Sequence, residues 1–391
     1  MPEFLLASLK YTSTAKEEAM PDDSMKRLYI EPTARCNLQC SMCFRNSWRD
    51  EAIGDMSMET FQRAMDTMPA SVETVFFGGM GEPLAHANIL DMVREAKARG
   101  KSVELLSNGT LLTEERSAAL LDAGLDMLWL SIDSLEEGSY ERIRQNSKFT
   151  LVKRHIEEFN RLRIRLKRKV RLGLAFVAMK SNAHELAKLP YFATWHMVNE
   201  VNVSNVIPTD EHTASEMLCD HVVDWGLGDD APMDTSPQIH LPLMNWDHPG
   251  ARDGLSGLLS NSMCNVYLSG QKVLRDSRSC RFINEGHCFV KFDGEVSPCM
   301  PLLRNGVVYL RGKTRLIHRH SYGNVNAMRL DDIWNSEDYA GLRRRVKNFE
   351  FSYCFRCSLC EYWEEGLTDC FGSPAPACGG CLWSEGVISC P

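Results

Sequence analysis

Three cysteines within eight positions carry the first chemical signal of this chain. Cys36, Cys40 and Cys43 are spaced C-x3-C-x2-C, shortly after an apolar run at Leu28–Glu31. A [4Fe–4S] cube has four irons, and a protein usually supplies four thiolates. Three thiolates on one loop wrap three corners and leave the fourth iron open, and an open metal position is what a catalytic centre needs. The alternatives are a zinc site missing a distant ligand and three buried thiols. Zinc favours C-x2–4-C pairs with a second pair nearby, and none lies close in sequence.

The chain holds fifteen cysteines, and eleven lie between Cys264 and Cys390. Thirteen residues separate Cys280 from Gly294, and Gly294-x4-Cys299 follows. Cys354, Cys357 and Cys360 then stand at two-residue spacing, with Cys370, Cys378, Cys381 and Cys390 beyond. Zinc ribbons use the same C-x2-C pairs, so spacing alone leaves zinc and iron–sulfur ligation open. Disulfides would suit a secreted chain. The opening stretch MPEFLLASLK lacks a basic n-region and a long apolar core, and no apolar run approaches the ~18 residues of a membrane span. A reduced cytoplasm, with cysteines as metal ligands and no membrane partner, is therefore expected.

Polar and glycine-rich stretches follow further apolar runs. In Phe76-Phe-Gly-Gly-Met-Gly-Glu-Pro83, Gly78, Gly79 and Gly81 let the backbone approach a ligand, and Glu82 can pair with an ammonium group. Ser107-Asn108 and Ser131-Ile-Asp133 end two more runs and suit ribose hydroxyls or a carboxylate. Singly, each is an ordinary turn. Their repetition at successive strand ends makes a candidate binding wall.

The elements that must position these groups alternate. Expected strands are Leu28–Glu31, Thr74–Phe77, Ser102–Leu106, Met127–Ile132, Val170–Val177 and Val201–Ile207. Amphipathic stretches lie between them at Ser57–Met68, Ile89–Ala98, Glu114–Ala123 and Leu151–Leu166. Strand–helix alternation means parallel crossovers, so the fold class is α/β, a partial (β/α)6 TIM-type barrel with chemistry at the C-terminal strand ends. The expected organisation is a leader at 1–26, the barrel at 27–207, a bridging or lid segment at 208–265, and a cysteine-rich domain at 266–391. The last cannot bury enough apolar surface alone and needs a metal staple. A net charge of −8 argues against DNA or general nucleic-acid binding. The basic run Arg161–Arg171 is read as a solvated helix face leading into a strand.

With these motifs in place, the sequence resembles the radical S-adenosylmethionine (SAM) superfamily, whose hallmark is C-x3-C-x2-C at the end of the first barrel strand. One departure is Met42 where the family usually has an aromatic residue, with Phe44 following. The resemblance implies a [4Fe–4S] cluster on Cys36, Cys40 and Cys43, with Gly78, Gly79, Gly81 and Glu82 holding the methionine amino group of SAM. It further implies that Ser107, Asn108, Ser131 and Asp133 face the ribose or the methionyl part. The later cysteines, with Tyr322-Gly-Asn-Val325 and Leu330–Asn335, resemble the SPASM extension, which implies two auxiliary [4Fe–4S] clusters. Its implied ligands are Cys280, Cys299, Cys354, Cys357, Cys360, Cys370, Cys378, Cys381 and Cys390. Two cubes need eight thiolates and this region supplies ten, so Cys288 or one of the final cysteines is spare, while Cys219 and Cys264 are ordinary thiols.

What the resemblance implies about activity is reductive cleavage of SAM to a 5′-deoxyadenosyl radical, fed by an electron donor such as ferredoxin or flavodoxin. Met300 stands where sulfatase-maturing relatives carry an Asp, which counts against that activity. The stretches Tyr29–Thr33, Cys43–Asn46 and Cys378–Pro391 look most like maturases of tungsten-containing aldehyde oxidoreductases. The substrate is then a protein or its cofactor; modification of a peptide is the alternative within the enzyme class. A zinc-stabilised binding protein is the alternative outside it.

Overall fold

The computed structural model describes residues 23–218, 265–268, 280–352, 354 and 360–391. Seven parallel strands run in chain order across one sheet: β1 (Arg27–Ile30), β2 (Thr74–Phe77), β3 (Ser102–Ser107), β4 (Met127–Ser131), β5 (Arg171–Ala178), β6 (Glu200–Asn205) and β7 (Asn265–Leu268). The first six match the expected strands to within a residue or two. The seventh falls in a stretch whose polar surroundings concealed it.

Helices α1 (Met58–Thr67), α2 (Ile89–Ala98), α3 (Glu114–Ala123), α4 (Glu137–Ile143), α5 (Phe149–Arg165) and α6 (Leu189–Trp195) form the crossovers. Local chemistry sets their ends. The Ser57 hydroxyl accepts from the Thr60 amide at 3.0 Å, and Thr113 accepts from the Arg116 amide at 3.3 Å. Gly124, at φ +91°, stops α3 in the left-handed conformation that glycine adopts without strain. Phe61, Val75, Phe77, Val93, Leu105, Leu128, Phe159 and Leu174 pack between the sheet and these helices as one core.

The cysteine-rich region does not stand apart. Strand β8 (His287–Val290) pairs in parallel with the outer edge of β1, in register from Arg27 opposite His287 to Ile30 opposite Val290. β9 (Glu295–Ser297) turns back antiparallel on β8, and β12 (Gly323–Asn324) extends it, so the sheet reads β12-β9-β8-β1-β2-β3-β4-β5-β6-β7. The four residues of β8, His-Cys-Phe-Val, are all buried, which is why they cover the otherwise open edge of β1. β10 (Gly306–Leu310) and β11 (Lys313–Ile317) form a separate hairpin. The turn Gly294 sits at φ +90°, where a Cβ would lie 2.5 Å from Asn326 Nδ2, so the glycine of the G-x4-C spacing is fixed by backbone and space together.

Most of the expected leader, most of the bridging segment with Trp246–Gly254, and Cys219, Cys264 and Cys357 lie outside the described residues. No described helix is long and apolar enough to cross a membrane.

Candidate functional site

The loop after β1 carries Cys36, Cys40 and Cys43 and is held from two sides. The amides of Gln39 and Ser41 donate to the carbonyls of Gln145 and Ile143, at 3.3 and 2.9 Å. From the other side, Asn108 Nδ2 donates to Asn37 Oδ1 at 2.9 Å and reaches Cys36 Sγ at 3.8 Å. All three cysteines are half-buried and line one chamber. Burial pushes the Cys40 thiol up to about 11, against the pull of Arg144, and the nearby Cys43 and Cys36 push it the same way. Burial likewise raises Cys43. Ionising Cys40 and Cys43 here is costly without a cation beside them, and with Cys36 on the same chamber the donor set fits a metal cluster.

Against this loop lies the glycine turn after β2. A Cβ on Gly81 would stand 2.0 Å from the Thr33 carbonyl oxygen and 2.7 Å from that of Arg35, so only glycine allows this contact. Gly79, at φ +112°, packs on the Glu31 side chain. Glu82 is the hub of the wall. Its Oε1 accepts from Ser107 Oγ at 2.8 Å and from the Leu84 amide at 3.0 Å, and its Oε2 accepts from the Asn108 amide at 2.7 Å. These bonds fuse the glycine turn to the β3 end and leave one of the carboxylate's roughly four acceptor sites for a ligand. Gly79, Gly81, Glu82, Ser107, Asn108 and Ser131 all face the chamber.

Gly78 and Asp133 are not on its surface. A Cβ on Gly78 would meet the Phe76 ring at 2.4 Å, so its smallness serves packing. Asp133 is fully buried behind the wall, where Oδ1 accepts from the Val177 amide at 3.0 Å and Oδ2 pairs with Arg144 at 2.7 Å. Burial raises its carboxyl, and the Arg144 charge opposes that shift. Asp133 thus holds Arg144, which faces the chamber beside Cys40. Arg144 carries no sequence signal, since it closes an ordinary helix and follows no spacing.

A second device missed by sequence joins the two regions. Arg304, two residues before β10, makes two parallel bonds to Glu31 at 2.8 and 2.5 Å, both residues being buried. Glu31 Oε1 also accepts from the Met80 amide at 3.3 Å, and the guanidinium lies 4.3 Å over the Trp48 ring. One arginine of the cysteine-rich region therefore braces both the glycine turn and the chain just after the cluster loop.

The later cysteines separate into sets. Cys280, Cys299, Cys378 and Cys381 line one cavity together. Burial pushes Cys280 up to about 12, with Cys381 adding to it, and raises Cys299 and Cys378 strongly, with Cys381 and Cys280 again adding. Arg315 stands between this set and Cys354. Its Nη2 donates to the Ala377 carbonyl at 2.8 Å, while its buried Nη1 has no partner. An orphaned guanidinium nitrogen among thiols fits an anionic iron–sulfur cluster. Cys354 is half-buried and influenced by Cys370; Cys360 and Cys370 are exposed. Cys288 is fully buried in the apolar core, apart from both sets. Cys390 is apart as well and lines the chamber of Cys36, Cys40 and Cys43.

Residues 30–173 match the family described as "Radical SAM superfamily", and residues 280–361 match "Iron-sulfur cluster-binding domain". The chain is 31% identical over 373 residues to the "Tungsten-containing aldehyde ferredoxin oxidoreductase cofactor-modifying protein" of Pyrococcus furiosus, covering 94% of this chain and 97% of that one. It is 30% identical over 135 residues to a "PqqA peptide cyclase" of Bradyrhizobium diazoefficiens, 34% of each chain. The SAM-bound crystal structure of Streptococcus suis SuiB superposes with a TM-score of 0.59 at 15% identity, over 86% of this chain and 71% of that one.

Proposed function

The chain belongs to the radical SAM superfamily, with [4Fe–4S] clusters and SAM as its cofactors, and on that premise we propose that it matures a tungsten-dependent oxidoreductase by modifying its cofactor. The observation that carries the site is the convergence of Cys36, Cys40 and Cys43 with Gly79, Gly81 and Glu82 on one chamber. When bound there, the cluster and SAM supply a 5′-deoxyadenosyl radical for hydrogen abstraction.

The chain's own residues do the rest. Cys36, Cys40 and Cys43 would supply three thiolates to the cluster. The glycine turn brings the backbone close to the methionyl group, and Glu82 fixes that turn to Ser107 and Asn108. Arg144, held by Asp133, supplies the chamber's cation. In the auxiliary region, Cys280, Cys299, Cys378 and Cys381 hold one cluster. Cys354, Cys360 and Cys370 would hold the other, together with Cys357, which the sequence sets between Cys354 and Cys360, making the eight thiolates that two cubes need. Ferredoxin or flavodoxin supplies the electron.

The tungsten reading is supported by identity over nearly the full length of its relative, whereas the peptide-cyclase likeness covers a third of each chain. The test is anaerobic. Dithionite and SAM should yield 5′-deoxyadenosine from the brown protein, and a Cys36, Cys40, Cys43 triple Ala variant should yield none. Retention of cleavage in that variant refutes the cluster assignment, and a colourless zinc protein without sulfide refutes the enzyme chemistry. For the substrate, transfer of deuterium from the labelled tungsten cofactor or its precursor into 5′-deoxyadenosine is expected, and transfer from a labelled peptide instead would replace this reading with peptide modification.

A further inference from the structure

The segment Val387–Pro391 runs into the barrel and is fastened there by its backbone and one hydroxyl. The Ser389 amide donates to Ser204 Oγ at 2.9 Å, and the Ser389 hydroxyl donates to Asn202 Oδ1 at 3.0 Å. Tyr29 Oη donates to the Pro391 carbonyl at 2.7 Å, and Arg281 donates to that of Cys390 at 2.8 Å. Strands β1 and β6 and the cysteine-rich region thus grip five residues between them. Cys390 is thereby kept inside the chamber that Cys36, Cys40 and Cys43 also line.

This placement is wrong for an auxiliary-cluster ligand. The groups acting on the Cys390 thiol are the Trp383 indole and the Arg281 charge, whereas Cys280, Cys299, Cys378 and Cys381 act on one another. Eight cysteines already satisfy two cubes once Cys288 and Cys390 are set aside. A second feature of the same wall points to a ligand. Asn205, only 2% exposed, donates through Nδ2 to the Val387 carbonyl at 2.8 Å, which fixes the orientation of its amide. Its Oδ1 has no partner, and the residue lines the chamber. A buried amide oxygen left unpaired is destabilising unless something bonds to it.

We propose that Cys390 is a substrate-facing thiol of the barrel chamber, and that Asn205 Oδ1 in the same wall accepts a hydrogen bond from an N–H or O–H of that substrate. The aromatic rings of Tyr29, Phe76 and Phe289 line the chamber too, with Tyr29 and Phe289 stacked at 4.3 Å, so the group received there is flat and apolar-faced with a polar edge. Burial pushes the Cys390 thiol up to about 11, so at neutral pH it presents S–H to the substrate. This deepens the proposed function, since it rests on the chamber being where SAM meets substrate.

The experiment uses the anaerobically reconstituted holoenzyme. Cys390→Ser should keep the wild-type iron and sulfide content, while Cys381→Ser should lose about a third of the iron, one cube of three. Loss of a third of the iron in Cys390→Ser overturns the proposal by making Cys390 a ligand. In the wild-type protein at about pH 9.5, where more of this high-pKa thiol is ionised, iodoacetamide should alkylate Cys390 slowly, mapped by mass spectrometry, and SAM should slow that labelling roughly tenfold by filling the shared chamber; no labelling of Cys390 there overturns its exposure to the chamber. Labelling that ignores SAM overturns the chamber placement, while leaving the 5′-deoxyadenosine assay to judge the radical chemistry on its own.

Discussion

From residue 27 to 218 the strands bury leucine, valine and phenylalanine on helices, whereas from 280 to 391 many of the buried positions are thiols and polar atoms. Leu28, Val75, Val103, Leu128, Leu172 and Val201 occupy successive parallel strands, and each is fully buried. In the other region Cys280, Cys299 and Cys378 are thiols made costly to ionise by burial, and Arg315 Nη1 and Trp363 Nε1 are buried without partners. The first region folds mainly on apolar area, with its raised thiols Cys40 and Cys43 and unpartnered atoms such as Asn205 Oδ1 gathered at the chamber. The second places its thiols within its packing, where clusters that bind those thiolates would complete it. The barrel is thus the more self-sufficient scaffold, and the cysteine-rich region is the one that leans on its clusters.

Iron removal should break this contrast open and gives the largest effect. Anaerobic chelation is expected to destabilise the region at 280–391 by on the order of 10 kcal/mol, while α1 to α5 stay protected in hydrogen exchange. Equal loss of protection in both regions would mean that the barrel, too, is built around metal. Next comes the brace between the regions. Arg304→Met leaves Glu31 buried without its partner and should cost about 3–5 kcal/mol. It should also weaken SAM binding, since Glu31 Oε1 holds the Met80 amide. Adding Glu31→Gln should recover much of the stability, measured by denaturant unfolding. Unchanged SAM affinity in Arg304→Met would remove the brace from the cofactor site.

The pH response should be smaller and localised at the seam between β1 and β8. Burial, outweighing the pull of Glu285, lowers His287 to about 4 from 6.5. The folded state therefore binds fewer protons than the unfolded one between those values. Stability is complete above 6.5 and falls as the pH drops to about 4, by up to about 3 kcal/mol. For Glu285, burial raises the carboxyl, but the bond from His287 and the Arg281 charge outweigh it and hold it at about 2 against 4.5. Its contribution is present above 4.5 and is lost toward 2. His287→Gln should remove the acid sensitivity between 6.5 and 4 in thermal melts, and an unaltered profile would place the sensitivity elsewhere.

The same contrast explains what the sequence made legible. Barrel strands announce themselves because buried parallel strands are short apolar runs, and a helix such as α3 carries Thr113 and Gly124 as its own start and stop. The cluster loop was legible because ligation needs cysteines at fixed local spacing. What could not be seen depends on contacts between distant residues. Arg304 meets Glu31 across 273 positions, and Cys390 reaches the chamber only because β6 and Tyr29 grip its segment. The SPASM resemblance implies Cys390 as one more metal ligand, and that it lines the chamber is a matter of three dimensions that spacing does not carry. β8 read as part of a separate domain, since nothing in four buried residues tells which edge they will cover.

The smallest expected effect isolates the barrel's side of the comparison. Thr113 caps α3 with a single bond to the Arg116 amide, on a helix that packs against α2 and α5 and touches no cysteine set. Thr113→Ala orphans one amide at the helix start and should cost about 1 kcal/mol. Because that loss is confined to apolar scaffolding, the variant should bind the full complement of iron and show unchanged protease cleavage within 280–391. Gly294→Ala makes the converse case, since its added Cβ collides with Asn326 and disturbs the turn leading to Cys299. It should lower the iron content before it lowers the stability of the barrel. If Thr113→Ala also cost iron, the barrel and the cysteine-rich region would be one cooperative unit, and the division of labour drawn between them would fail.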